Sequence, residues 1–279
     1  LERLGNSVEV RYGAEARGFI QDSERVRVRL ADETEIGADV LIGADGIHSA
    51  VRSALFRDRS ATLRQLGYHT CAYTIRDETL HRRLADRFTM TDTVERTVGL
   101  YGTSDGRVAV WGVHRVADPT LPGDPREELQ ERYRGLGPDV DAALALCPPS
   151  SEVYYDQVAQ VVLPEWSRGR VALVGDACGA VSLLAGQGAS LAVAGGAELA
   201  RRLAATADVA SGIAEYERLM RPVVQEKQGA GQRAAASFVP RSAFGLWFRR
   251  MSLRMLSVPV LDRIVARGIV GKSSEVFRA

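Results

Sequence analysis

The stretch "GRVALVGDACGAVSLLAGQGASLAVAGGAELARRL", Gly169 to Leu203, constrains the fold of this 279-residue chain more than any other. "RVALVGD" is a short continuous apolar run that stops on Gly175-Asp176, the pattern of a buried strand in a parallel sheet. Nine residues follow that are nearly all small or apolar, then Gly186-Gln187-Gly188, then an alanine-rich helical run. Strand, loop and helix in this order predict an α/β domain. Asp176 would lie at the carboxyl edge of the sheet, where open α/β folds take their ligands. A carboxylate there can accept a hydrogen bond from a sugar or polyol hydroxyl. Bare amides at the start of the helix attract an anion or an electron-rich ring. The bland alternative is a simple turn with glycines that permit close helix–sheet packing. Taken residue by residue the two readings balance, and the full order favours a ligand.

"GADGIHSAVR", Gly43 to Arg52, repeats the theme. The run "ADVLIGADG" reads as a second buried parallel strand, and "SAVRSALF" as a helix with Ser49 near its start. Asp45, Gly46 and the local amides can brace a dinucleotide from one side, and Arg52 offers a fixed positive donor. Asp-Gly is also common turn chemistry, and an arginine in a helix is often a surface ion pair.

Around these motifs the chain divides into regions. "SVEVRY", "EARGFIQD", "RVRVRLAD" and "TEIGADV" alternate like strands, with hairpin turns at Asp-Ser-Glu and Ala-Asp-Glu. Between 60 and 150, "YHTCAYTIR", "DRFTMTD", "RTVGLYGT" and "RVAVWGVHR" predict four strands of an antiparallel sheet. One helix is expected near Leu80 to Leu84, and others from about Arg126 to Leu146. Buried-strand patterning returns at 151, and from about 206 the chain reads as helical. The expected domains are therefore 1–59 with 151–205, then 60–150, then a C-terminal helical segment, 206–279.

Together the two motifs resemble the FAD-dependent aromatic hydroxylases, the group A flavoprotein monooxygenases. "GADGIHSAVR" is similar to that family's Asp-Gly motif and "RVALVGDACGAVSLLAGQGASLA" to its Gly-Asp motif, in matching order and separation, and the likeness covers most of residues 1–203. The resemblance implies an FAD/NAD(P)-binding Rossmann-like domain, incomplete at its N-terminus, an antiparallel substrate-covering sheet and a helical C-terminal tail. It implies that Gly175 and Asp176 contact the ribityl or pyrophosphate part of FAD. Gly186, Gln187, Gly188 and Ala189 would place helix amides near the flavin ring. Asp45, Gly46 and Arg52 would lie between the pyrophosphate region and a transient nicotinamide site. The implied activity is hydroxylation of an aromatic or polyketide-like small molecule with FAD, NAD(P)H and O2, the hard chemistry being the cofactor's. The family's motif often carries a proline and a histidine where this chain has "ACGAVSLLAGQG", with neither. The family's N-terminal strand–GxGxxG–helix unit has no counterpart here. The chain is therefore expected to be part of a longer protein or one half of a split one, and to hold FAD weakly or not at all by itself.

Other features narrow the reading. No Ser-His-Asp set, paired carboxylate or metal-ligand spacing is evident, so no catalytic side chain is assigned. His48, His69, His81 and His114 are scattered and read as structural or surface groups. Strand alternation puts Trp111 and Val113 on one face and Val110, Gly112 and His114 on the other, without saying which faces substrate. Tyr154, Tyr155 and Trp166 read as buried with a satisfied polar tip. Cys178 reads as a packing residue rather than a reactive thiol. The tail "FGLWFRRMSLRMLSVPVLDRIVARGIV" is expected to pack back as two short helices broken at Pro259, a membrane surface being the alternative. A net charge of +1 gives no reason to expect nucleic acid. There is no run of 18 apolar residues, and three dispersed cysteines (Cys71, Cys147, Cys178) fit a reduced cytoplasm. The competing readings are another flavoenzyme on the same fold (a prenyl-chain reductase, or a halogenase whose Trp-x-Trp-x-Ile-Pro signature is missing here) and a non-enzymatic, partner-binding fragment.

Overall fold

The structure, a computed structural model, describes residues 8–57, 63–84 and 86–256. In chain order, β1 (Ala16–Gln21), β2 (Val26–Leu30), β3 (Glu35–Ala38) and β4 (Leu41–Gly43) precede helix α1 (Ala50–Leu55). Then come β5 (Leu63–Ile75), α2 (Glu78–Leu84), β6 (Phe88–Thr93), β7 (Arg96–Gly102), β8 (Val108–Arg115), α3 (Pro125–Tyr133) and α4 (Pro138–Ala145). The chain continues through β9 (Tyr154–Val161), β10 (Ser167–Arg168), β11 (Val171–Leu173), α5 (Asp176–Gly179), α6 (Gly188–Ala204), α7 (Val209–Phe238) and α8 (Ala243–Leu256). Two compact units result: residues 1–66 with 158–236, and residues 67–157 with 237–279.

In the first unit β1, β2 and β3 form an antiparallel meander. Val26, Val28 and Leu30 point into the core while Arg27 and Arg29 face water, the period-two pattern of a half-buried sheet. The Asp22 carboxylate accepts from the Glu24 and Arg25 amides at 2.8 Å, which closes the first hairpin. The described part of "SVEVRY", residues 8–12, is not a strand. Val8, Val10 and Tyr12 stand exposed, so among the described residues their alternation has no surface to bury against. β4 and β11 pair in parallel, Leu41 opposite Val171 and Gly43 opposite Leu173, with β10 antiparallel on the far side of β11. All three residues of β11 are fully buried, as a parallel strand covered on both faces requires. Their neighbours in the core include Val51 and Leu55 of α1, Leu199 of α6, and Tyr216 and Met220 of α7. A Cβ on Gly43 would lie 2.8 Å from both Leu173 and Val51, so glycine is what lets β4 approach so closely.

The second unit is built on a five-stranded sheet of order β6-β7-β8-β5-β9. The sequence pattern shows four of these strands. β9 falls where the pattern from 151 on predicts a return to parallel strands of the first domain, and it instead joins this sheet, Val158 to Val161 being buried in succession. Leu129 and Tyr133 of α3 and Val140, Ala143 and Leu144 of α4 pack against Cys71, Leu100 and Val110 on one sheet face. His114 lies on that helix-covered side, hydrogen-bonded to Tyr133. Trp111 therefore occupies the opposite face. There it stacks on Phe88 (centroids 6.1 Å apart, planes 13° apart) and meets Phe238 at 6.0 Å. A Cβ on Gly99 would come within 2.3 Å of the indole nitrogen, so the indole lies flat across β7 only because residue 99 is glycine. Arg250 of α8 holds Asp92 of β6 at 3.2 Å, while Phe244, Trp247 and Phe248 remain exposed. The expected break at Pro259 lies outside the described residues. Among the described residues no helix is long and apolar enough to cross a membrane.

Candidate functional site

Both sequence motifs fall in the first unit, at the carboxyl ends of the parallel pair β4 and β11. Gly175 follows β11 with φ +63° and ψ −138°, a conformation that favours glycine, and a Cβ there would also press on Ala192 at 3.1 Å. Asp176 is then the first residue of the short helix α5. Its carboxylate has no hydrogen-bond or ion-pair partner among the described residues, and desolvation raises its pKa above the ordinary aspartate value. A Cβ at Gly188, the first residue of α6, would sit 3.7 Å from Asp176 Oδ1. The loop between them, Ala180 to Gln187, passes through a 3-10 turn at Leu183–Ala185 and a left-handed Gly186 (φ +63°). Gln187 gives α6 no side-chain cap, and no acidic residue occupies the first turn. The leading amides of a 17-residue helix are thus left without side-chain partners beside an unpartnered carboxylate. Groups that fit this arrangement carry hydroxyl donors and an electron-rich edge, as the ribityl chain and ring of a flavin do.

The second motif is held by its own side chains. Asp45 accepts from the Ser49 hydroxyl at 2.5 Å and from the Val51 amide at 3.0 Å. Burial works to raise its pKa, but these bonds outweigh burial and hold it below the ordinary range. Gly46 supplies φ +77° at the turn. Ser49 caps α1, its hydroxyl accepting from the Arg52 amide at 2.9 Å. Arg52 is only 4% exposed, so it is no surface ion pair. Its guanidinium donates to the Ala177 carbonyl at 2.9 Å and the Ile47 carbonyl at 2.6 Å. One buried arginine therefore ties the Asp-Gly motif to the Gly-Asp motif across 125 residues of sequence. Those donors are engaged with backbone, which makes Arg52 a brace for the site rather than a free cation in it.

Cys178 is buried, its thiol pushed up to about 12 by desolvation, so it is a packing residue here. The crevice where it lies, lined also by Gly175, Gly188, Ala192 and Gly195, has a volume of only about 10 Å³. The small side chains do bring α6 close, as the bland reading held, while Asp176 stands exposed at the sheet edge, its carboxylate open to solvent or to a ligand.

The second unit contains a polar group that sequence alone scattered. His69 and His114 are opposite one another on β5 and β8, and both are buried. His69 Nε2 lies 3.1 Å from the Pro119 carbonyl, which can only accept, so Nε2 carries the proton. In the neutral ring Nδ1 then accepts from the Tyr155 hydroxyl at 3.1 Å. Tyr155 in turn accepts from His114 Nε2 at 3.1 Å, and His114 Nδ1 accepts from Tyr133 at 2.9 Å. One carbonyl thus sets the polarity of the whole chain. Tyr155 does have its hydroxyl satisfied, by two histidines far from it in sequence, and Trp166 is buried, but Tyr154 stands exposed, not buried as expected.

The family of FAD binding domains matches this sequence over residues 1–228. A flavin-dependent monooxygenase from an unknown prokaryotic organism is 29% identical over 82% of this chain and 60% of its own length. The aurachin C monooxygenase/isomerase of Stigmatella aurantiaca is 28% identical over 91% of this chain and 65% of its own. Among solved structures, the tetracycline destructase Tet(55) superposes with a TM-score of 0.74 at 26% identity, covering 87% of this chain and 66% of that one. Klebsiella pneumoniae HpxO, complexed with FAD and uric acid, shares the fold at TM-score 0.73 and 24% identity, covering 91% of this chain and 64% of that one. The chain spans about 60% of the length of the curated relatives it matches. With the Gly-Asp edge, the parallel β4–β11 pair and the uncapped α6 in place, the match over residues 1–228 decides the family: the chain belongs to the FAD binding domains.

Proposed function

We propose that this chain supplies the flavin edge and the substrate-facing sheet of an FAD-dependent monooxygenase acting on an aromatic or polyketide-like small molecule. The observation that carries the reading is the unpartnered Asp176 carboxylate beside the uncapped start of α6. Bound FAD would supply the redox chemistry, transfer of an oxygen atom from O2 at the expense of NAD(P)H. Asp176 would accept a hydrogen bond from a cofactor hydroxyl, with Gly175 fixing its direction. The Gly186 amide is spent on the Leu183 carbonyl at 3.1 Å, and the amides of Gln187, Gly188 and Ala189 would favour negative charge on the facing edge of the ring. Asp45, Gly46 and Arg52 act one step back. Asp45 and Gly46 would shape the turn near the pyrophosphate, and Arg52 would brace α5 through the Ala177 carbonyl. The aromatic substrate class finds support in the flat Trp111 indole and its stack on Phe88, on the sheet face away from α3 and α4. A cytoplasmic setting agrees with three free, buried cysteines.

Titrating FAD against the protein, alone and with an upstream strand–GxGxxG–helix segment supplied, tests the reading by flavin fluorescence. A hydrogen bond to a charged group contributes about 1.5–3 kcal/mol, so Asp176→Ala should weaken FAD binding about ten- to a hundredfold. Asp176→Asn should fall between Ala and the parent. Equal affinity for parent and Asp176→Ala would reduce Asp176 to a turn residue and end the argument.

A further inference from the structure

The loop that follows the Gly-Asp turn carries one backbone conformation at odds with its residue type. Ser182 sits at φ +88° and ψ 139°, a region that L side chains rarely adopt. Its hydroxyl accepts from the Leu184 amide at 3.3 Å, a local contact that does little to hold the two residues before it. Those residues are held from elsewhere. Gln228 of α7, 5% exposed, donates one amide hydrogen to the Ala180 carbonyl at 3.1 Å and the other to the Val161 carbonyl at 2.6 Å. Gln160 of β9, fully buried, donates to the Val181 carbonyl at 3.1 Å and to the backbone carbonyl of Gln228 at 2.8 Å. Gln232, one turn further along α7, donates to Gln160 Oε1 at 3.0 Å and so fixes which way that amide points. All four hydrogens of the two buried amides go to backbone carbonyls, two of them on the residues immediately before Ser182. Beyond Ser182 only five residues remain before α6 begins at Gly188.

The Ala180 carbonyl also accepts from the Val161 amide at 3.2 Å, and buried glutamines can do no more than satisfy backbone carbonyls. A loop free to relax would not keep Ser182 in that conformation, and the strain persists where the surroundings over-determine it. We propose that Gln160, Gln228 and Gln232 are positioning residues that hold the Ala180–Gln187 loop against the strain at Ser182. They thereby set where the bare N-terminus of α6 stands beside Asp176. The link to flavin rests on the function proposed above. The clamp itself does not, because its main readouts need no cofactor.

The experiment compares the parent, Gln228→Met, Ser182→Gly and the double variant. Hydrogen exchange followed by mass spectrometry should show peptides spanning 180–188 exchanging at least about tenfold faster in Gln228→Met, with the α3 and α4 peptides unchanged. In urea unfolding, Ser182→Gly should be more favourable in the parent than in Gln228→Met, because strain relaxes once the clamp is gone. This non-additivity is what a merely structural glutamine would not produce. Additive effects, or unchanged exchange in the loop, overturn the proposal. Should Gln228→Met fail to fold, Gln232→Ala removes only the bond that orients Gln160 and should give the same pattern at about threefold. In a form of the protein that binds FAD, Gln228→Met should also weaken affinity about tenfold with Asp176 intact, and unaltered affinity alongside a freed loop would refute positioning. Failure of the parent to take up flavin would instead count against the function, with the exchange and coupling results still deciding on the clamp.

Discussion

His114 makes the stability of the second unit depend on pH in a calculable way. It is 1% exposed, and burial first, then the positive charges of Arg132 and Arg96 and the neighbouring His69, depress its pKa to about 3. Glu128 Oε1, 3.7 Å from Nε2, is its nearest carboxylate, and Tyr133 and Tyr155 complete its surroundings. The unfolded chain titrates this histidine near the ordinary value of about 6.5. Between pH 6.5 and 3 the unfolded state therefore binds the extra proton and the folded state does not. Stability is complete above the unfolded pKa and falls as pH drops, with a limiting slope of about 1.4 kcal/mol per pH unit. Integrated from pH 7 to pH 5, the loss is about 2 kcal/mol, before most carboxylates begin to titrate. Of the three tryptophans, Trp111 and Trp247 lie in the second unit and Trp166 in the first. Urea unfolding in a Trp166→Phe background, followed by tryptophan fluorescence, therefore reports on the second unit. His114→Gln should be less stable than that background at pH 7 and should lose this part of the pH dependence, so the gap between the two narrows by about 2 kcal/mol at pH 5. Parallel pH profiles for the two proteins would show that His114 is not held neutral by its surroundings.

Gly175→Ala forces a side chain into a left-handed backbone and against Ala192, and should destabilise the first unit by about 2–3 kcal/mol in urea melts. Arg52→Ala strands the Ala177 and Ile47 carbonyls. It should cost about 2–4 kcal/mol, with Arg52→Lys recovering part of the loss, and hydrogen exchange in α5 should rise in step. Gly99→Ala must displace the Trp111 indole, which a shift in tryptophan emission would register along with a loss of about 1–3 kcal/mol.

What the sequence made legible was local, and what it hid was long-range. The buried strand β11, the Gly-Asp stop and the helix α6 are written in consecutive residues. So are the hairpins of β1 to β3, whose turns are closed by their own aspartates. Arg52 could be read only as a donor, because its acceptor on Ala177 is 125 residues away. The facing of Trp111 and His114 waited on α3, whose Tyr133 settles which side is covered. The His69–Tyr155–His114 chain needed the β5–β8 register and a ninth strand that alternation does not announce. The glutamines of α7 leave least trace, since a polar residue on an amphipathic helix reads as solvent-facing. They bear directly on the departure from the family pattern. The loop "ACGAVSLLAGQG" lacks the proline and histidine of the motif it resembles, and Gly179 has no room for a side chain, a Cβ there falling 2.7 Å from Val224 of α7. α7 packs where such a side chain would go and supplies the amides of Gln228 and Gln232 that fasten the adjacent backbone. The backbone before Ser182 is therefore fastened by side chains of α7 and β9 and not by residues of the loop itself.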